Sequence, residues 1–217
     1  MTINAVLFDL DGTLLDTAND LGRALNFVLK QKNMPECAPE LFRVGASHGS
    51  KVLLELGFGE QLIEHDFEEL KSLFLNFYQE NICHHTCFFP GVEKLLHTLN
   101  EQDIPWGIVT NKPGHLTDRL LPNFELFQHS KINISGDTLE KAKPHPEPLL
   151  HASQHMNVDP SKTLYVGDAE RDIKAANAAN MTSVLASYGY ISEHDTPDTW
   201  NADFSIENAL DVLSVFS

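Results

Sequence analysis

Ile3-Asn4-Ala5-Val6-Leu7-Phe8-Asp9-Leu10-Asp11-Gly12-Thr13 begins as a short, mostly apolar, strand-prone run and stops abruptly at a carboxylate. A strand buried on both faces of a parallel sheet reads this way, because neither face calls for polar residues. The pattern returns at Trp106 to Thr110, Lys131 to Ser135, Thr163 to Gly167 and Thr182 to Ala186. Helical periodicity fills most of the intervals. Val92, Leu95, Leu96 and Leu99 share one face, and further helices are expected from about Pro146 to Met156 and from Ala169 to Ala179. Strand alternating with helix predicts an α/β core: an open, doubly wound, Rossmann-like parallel sheet with helices on both faces. Ligands bind such sheets beyond the carboxyl ends of the strands, at the topological switch point, so the residues just after each strand are the candidates for chemistry.

From the end of the first strand to Trp106 no strand pattern is visible, which is far more chain than one crossover needs. Leu21, Ala24, Leu25, Val28 and Leu29 form an apolar stripe behind a candidate N-cap at Thr17, and Leu70, Leu73, Phe74, Phe77 and Tyr78 form another. An inserted helical cap over residues 17–86 is expected, with 1–16 and 87–217 forming the α/β core. Phe88-Phe89-Pro90-Gly91 marks the return of the chain.

Composition narrows the function. The chain has 217 residues, 42% of them hydrophobic, enough to bury a sizeable core. Its 31 Asp+Glu against 15 Lys+Arg leave a formal charge of -16, which offers no footprint for nucleic acid or an anionic membrane. The opening MTINAVLFDL lacks a basic leader region and the apolar runs are strand-sized, so no membrane span and a cytoplasmic location are expected. Cys37, Cys83 and Cys87 are an odd number, which argues against a disulfide framework. No Lys or Arg follows Lys174, and Glu193, Asp195, Asp198, Asp203, Glu207 and Asp211 read as a solvated acidic face.

Four segments carry candidate chemistry. Asp9 and Asp11 sit at i and i+2 after a buried strand, with Gly12 to let the backbone turn. Two acids so close repel unless a cation sits beside them or one is protonated, although Asp-Gly is also a common turn. Thr110-Asn111-Lys112 follows the second core strand, where a hydroxyl and an amide can donate to an oxyanion, or where the segment is simply a turn before proline. In Lys143-Pro144-His145-Pro146 the prolines stiffen the backbone around an ammonium that could neutralise a phosphate and a carboxylate together. Gly167-Asp168-Ala169-Glu170-Arg171-Asp172 ends a strand and opens a helix, placing Asp168 and Asp172 at i and i+4 as hard oxygen ligands for Mg²⁺.

Taken together and in this order, FDLDGTLLDT, VTNKP, KPHPEP and VGDAERD resemble the motifs of the haloacid dehalogenase superfamily phosphatases over almost the whole chain. The resemblance implies that Asp9 is a nucleophile forming an aspartyl-phosphate and that Asp11 protonates the leaving alcohol and then activates water. It implies that Thr110 and Lys143 hold phosphoryl oxygens, with Asn111 beside them. It also implies that Mg²⁺ is held by Asp9, Asp168 and the main-chain oxygen of Asp11, with Asp172 acting on a metal-bound water. A second Asp at position 11 marks superfamily members that transfer phosphoryl groups, which disfavours dehalogenation.

The expected substrate is a small-molecule phosphate ester. VTNKP, KPHPEPLL and SYGY resemble the bacterial phosphoglycolate phosphatases, and YGYI followed by Trp200-Asn201-Ala202-Asp203 is similar to a branch acting on N-acetylmuramic acid 6-phosphate. Another sugar phosphate, or a phosphomutase resembling β-phosphoglucomutase, is the alternative. Within the cap, Arg43 is the candidate for a second anionic group, equally open to helix packing or a surface ion pair, and Ser47, His48 and Gly49 read as a polar loop. Cys83-His84-His85-Thr86-Cys87 lacks a second ligand pair for zinc, His145 reads as a loop residue near the site, and His151 and His155 read as exposed helix positions.

Overall fold

β1 (Ala5–Phe8) is buried along its whole length in the computed structural model, which describes residues 3–216. The chain leaves through β2 (Leu15–Asp16) into α1 (Ala18–Gln31), α2 (Pro39–Gly45), α3 (Gly49–Phe58) and α4 (Phe67–Glu80), and returns through β3 (Cys87–Phe88). Alternation follows with α5 (Val92–Glu101), β4 (Trp106–Val109), α6 (Gly114–Leu120), β5 (Asn133–Ile134), α7 (Glu147–Met156) and β6 (Thr163–Gly167). α8 (Glu170–Ala178), β7 (Thr182–Ala186), β8 (Phe204–Ile206) and α9 (Val212–Val215) complete the chain. It divides into two compact units, one of Asp16–Cys87 and one of the residues up to Leu15 together with those from Phe88 onward.

In the larger unit a six-stranded parallel sheet has the order β5-β4-β1-β6-β7-β8. The chain builds outward from β1 through β4 to β5, then crosses to β6 on the other side. β1 between β4 and β6 is therefore the switch point. Leu7, Val109 and Tyr165, from these three strands, are buried with Leu149 and Ala152 of α7 and Ala175 and Ala176 of α8. The small side chains let the helix lie close on the sheet.

In the helical unit, α1 buries Leu21, Ala24, Leu25, Val28 and Leu29, the stripe its spacing predicts. Phe27 stacks on Phe77 of α4 with ring centroids 4.4 Å apart. Each fully buried Leu or Phe contributes on the order of 1.5–3 kcal/mol, so the paired apolar faces hold these helices rather than helix propensity.

Several sequence expectations change. β8 shows no apolar run because it is an edge strand, with Phe204 and Ser205 exposed and Ile206 buried. The strand expected at 131–135 shrinks to Asn133–Ile134. Ser47 and His48 lie in a short 3-10 turn and Gly49 starts α3, so the expected polar loop is a tight join between two helices. Thr17 occupies the N-cap of α1 without a capping side-chain bond, and the Asp16 carboxylate accepts from Ala18 N at 3.4 Å instead. Among the described residues no helix is long and apolar enough to cross a membrane.

Candidate active site

Because β4, β1 and β6 are adjacent, their carboxyl ends deliver Thr110, Asp9 and Asp168 side by side. The ladder continues into the site: Asp9 N donates to Val166 O at 2.9 Å, and Thr110 N to Ile134 O at 2.9 Å. Asp172 enters from the first turn of α8, where its Oδ2 accepts from Ala169 N at 3.0 Å and so caps the helix. Asp168 Oδ2 accepts from Tyr190 N at 2.9 Å, and its Oδ1 from Thr13 Oγ1 at 3.4 Å. Gly12 turns the loop at φ 90°, and a Cβ there would collide with the Asp168 carboxylate.

Carboxylate oxygens of Asp9, Asp168 and Asp172 all lie within 4.8 Å of one another, and all three residues are buried. No other cluster of this kind is found among the described residues, the Cys83 to Cys87 stretch included. Lys143 supplies the nearest cation. Its Nζ is 2.8 Å from Asp9 Oδ1 and 2.8 Å from Asp172 Oδ1, and it donates to the Tyr165 hydroxyl at 2.8 Å. The contact with Asp9 is close but poorly directed as a hydrogen bond, so it is chiefly an ion pair.

Electrostatics separates the two carboxylates that share this lysine. Burial pushes Asp9 above its ordinary value; Lys143 pulls it back and Asp172 pushes it up again, and the net is a rise. For Asp172 burial also raises, but Lys143, Arg171 and the bond from Ala169 N more than offset it, and the net is a fall. Burial, then Asp172 and Asp9, pushes the Tyr165 hydroxyl well up, so it stays a neutral phenol. The convergent set of hard, buried oxygens fits a small divalent cation, and such a charge would relieve the burial and repulsion that raise Asp9.

Asp11 lies outside that cluster, with Lys112 Nζ 3.0 Å from its Oδ1. The repulsion expected of two carboxylates at i and i+2 is thus met by two lysines from two different loops, Lys143 at Asp9 and Lys112 at Asp11. Sequence reasoning passed over Lys112 as part of a turn. Its neighbour Asn111 clasps the third motif: Asn111 Nδ2 donates to Lys143 O at 2.8 Å and Asn111 Oδ1 accepts from Lys143 N at 3.1 Å. Both ends of that amide are engaged by the lysine's backbone. Thr110 is buried, and its Oγ1 accepts from Lys112 N at 3.1 Å.

Tyr165, Thr13 and Arg171 also belong to the site and were not singled out from sequence; an aromatic inside a strand reads as core, and Thr13 reads as part of a turn. In the helical unit, Arg43 Nη1 contacts both oxygens of Asp16, at 2.9 and 3.1 Å. His145 is exposed, with Nδ1 accepting from Glu147 N at 3.2 Å, and His151 and His155 are exposed on α7.

Comparison with known proteins agrees with this layout. Residues 6–186 match the haloacid dehalogenase-like hydrolase family. A phosphoglycolate phosphatase of Xanthomonas campestris pv. campestris (strain 8004) is 42% identical over 203 residues, covering 94% of this chain and 91% of that one. An N-acetylmuramic acid 6-phosphate phosphatase of Pseudomonas putida is 34% identical over 215 residues, covering 99% and 96%. A crystal structure described as a predicted phosphoglycolate phosphatase from Haemophilus somnus 129PT superposes with a TM-score of 0.87 at 28% identity, covering 100% and 99% of the two chains. With the family matched across both flanks of the insertion and the strand-end carboxylates in place, the chain belongs to the haloacid dehalogenase-like hydrolases.

Proposed function

We propose that the chain is a Mg²⁺-dependent phosphomonoesterase that works through an aspartyl-phosphate on Asp9, with 2-phosphoglycolate as its substrate. One observation carries the chemistry: the Asp9 carboxylate sits at the switch point, 2.8 Å from the Lys143 ammonium and in one cluster with Asp168 and Asp172. The substrate rests on the 42% identical relative named phosphoglycolate phosphatase.

Asp9, Asp168 and Asp172, with the main-chain oxygen of Asp11, would hold the Mg²⁺, which supplies neutralising charge to the phosphoryl group. Lys143 and Thr110 donate to phosphoryl oxygens and orient the ester in line with Asp9. An Asp9 oxygen attacks phosphorus, the ester P–O bond breaks, and the departing alkoxide takes a proton from Asp11. Asp11, now a carboxylate, takes a proton from water. The water oxygen attacks phosphorus, the bond to Asp9 breaks, and orthophosphate leaves. Lys112 keeps Asp11 in reach, and Asn111 positions Lys143 through its backbone. The helical unit, Asp16–Cys87, serves as a specificity cap in this reading, with Arg43 exchanging its pairing with Asp16 for a second anionic group of the substrate. A cytoplasmic location accords with a metabolic role of this kind.

N-acetylmuramic acid 6-phosphate is the second reading, favoured by the relative that spans 99% of this chain. The deciding experiment compares kcat/KM for the two phosphate esters with Mg²⁺, using wild type and Asp9→Asn. A clear preference for 2-phosphoglycolate, lost in Asp9→Asn and on adding EDTA, supports the first reading. Preference for the amino sugar moves the assignment to the second, and full activity of Asp9→Asn defeats the mechanism for both.

A further inference from the structure

Resting on the phosphatase reading above, we infer that Tyr165 is a positioning residue: its phenol ties the Lys143 ammonium to the end of β4 and so aims it at the phosphoryl site. Tyr165 sits inside β6 with its side chain buried, and its hydroxyl lies between two partners of fixed polarity. The Val109 carbonyl, 2.9 Å away, can only accept, so the phenolic hydrogen is committed to it. Asp172 Oδ1, at 3.4 Å, is the longer and weaker alternative for that hydrogen.

With its hydrogen given to Val109, the Tyr165 oxygen can only accept, and Lys143 Nζ donates to it at 2.8 Å. Lys143 carries three hydrogens and has three near neighbours, Tyr165, Asp172 and Asp9, each at 2.8 Å. Tyr165 and Asp172 take well-directed hydrogen bonds, while the contact with Asp9 is not so directed. The two anchored bonds fix the direction of the third N–H, which remains available to exchange Asp9 for a phosphoryl oxygen.

Val109 directly precedes Thr110, the other residue assigned to the phosphoryl oxygens, so one phenol sets the spacing between the two. Without it Lys143 would keep its charge, its pairing with Asp172 and the backbone clasp from Asn111, but its ammonium would lose its own tie to β4. The expected cost is therefore in transition-state alignment rather than in substrate capture.

Tyr165→Phe keeps the ring and its packing and removes only the hydroxyl. With p-nitrophenyl phosphate and Mg²⁺, kcat is expected to fall about tenfold while KM stays within about threefold, and inhibition by orthovanadate, a mimic of the five-coordinate transition state, is expected to weaken about tenfold. A merely structural role would lower the melting temperature and leave kcat per folded molecule and vanadate affinity unchanged, and that result overturns the inference. If Tyr165→Phe does not fold, 3-fluorotyrosine placed at 165 carries the test, because fluorine withdraws electrons and so weakens the oxygen as acceptor toward Lys143 while the hydroxyl's donation to Val109 is kept and strengthened. A measurable loss of kcat then supports the assignment, and an unchanged kcat overturns it. Asp9→Asn run alongside separates the failures. If Asp9→Asn is fully active, the phosphatase reading fails; if Asp9→Asn is inactive and Tyr165→Phe behaves as wild type, the assignment of Tyr165 alone fails.

Discussion

In the α/β unit Asp9, Asp168 and Asp172 crowd together, and Lys143 touches two of them, whereas in the helical unit the buried carboxylate, Asp20, accepts from the backbone and hydroxyl of the returning segment. His85 N and Thr86 N donate to Asp20 at 3.0 to 3.1 Å, and Thr86 Oγ1 donates at 2.8 Å, fastening the returning segment to α1. The contrast separates a carboxylate that serves structure from carboxylates crowded around one shared cation. Three neutral donors in good geometry, with Arg23 4.0 Å away, meet the Asp20 carboxylate, whereas Asp9 and Asp172 share one lysine and still repel each other.

That comparison can be broken by substitution. Asp9→Asn is expected to lower kcat by about 10⁴-fold or more with the fold intact, read by phosphate release and circular dichroism; substantial residual turnover would detach Asp9 from the chemistry. Lys143→Ala should cost about 10²–10³-fold in kcat, the scale of one donor to a developing charge, measured on p-nitrophenyl phosphate. Asp20→Asn should do the opposite, lowering stability by about 1–3 kcal/mol in urea unfolding, since an amide turns one acceptor toward backbone N–H groups as a donor. Its turnover of p-nitrophenyl phosphate should be unchanged, and a large loss there would erase the distinction between the units. Lys112→Met, which keeps the aliphatic stem and removes the charge beside Asp11, should reduce kcat about tenfold, with KM nearly constant.

Much of this was readable from the chain. Asp9, Thr110 and Asp168 stand where apolar runs end, and a parallel sheet turns that position into a site. Lys143 stood out because two prolines stiffen its loop. Lys112 and Tyr165 were hidden for a different reason: a lysine in a turn and a tyrosine in a strand match the commonest structural uses of those residues, and only their partners give them a role. β8 was hidden because it has only three residues, Phe204, Ser205 and Ile206, too short for a hydrophobic run, and α2 because it has only 7 residues, too few for a periodic signal.

Residue types and their placement at strand ends settled the class of chemistry, because any parallel sheet built from these runs presents Asp9, Thr110 and Asp168 on one rim. The pairing of charges depended on the folded arrangement. Asp9 with Lys143 and Asp172, and Asp11 with Lys112, are separated along the chain by more than the length of most elements, and spacing says nothing about which lysine meets which acid. The adjacency of β5, β4, β1 and β6 brings four loops to one point, and burial there makes each pairing strong enough to fix where the cations sit.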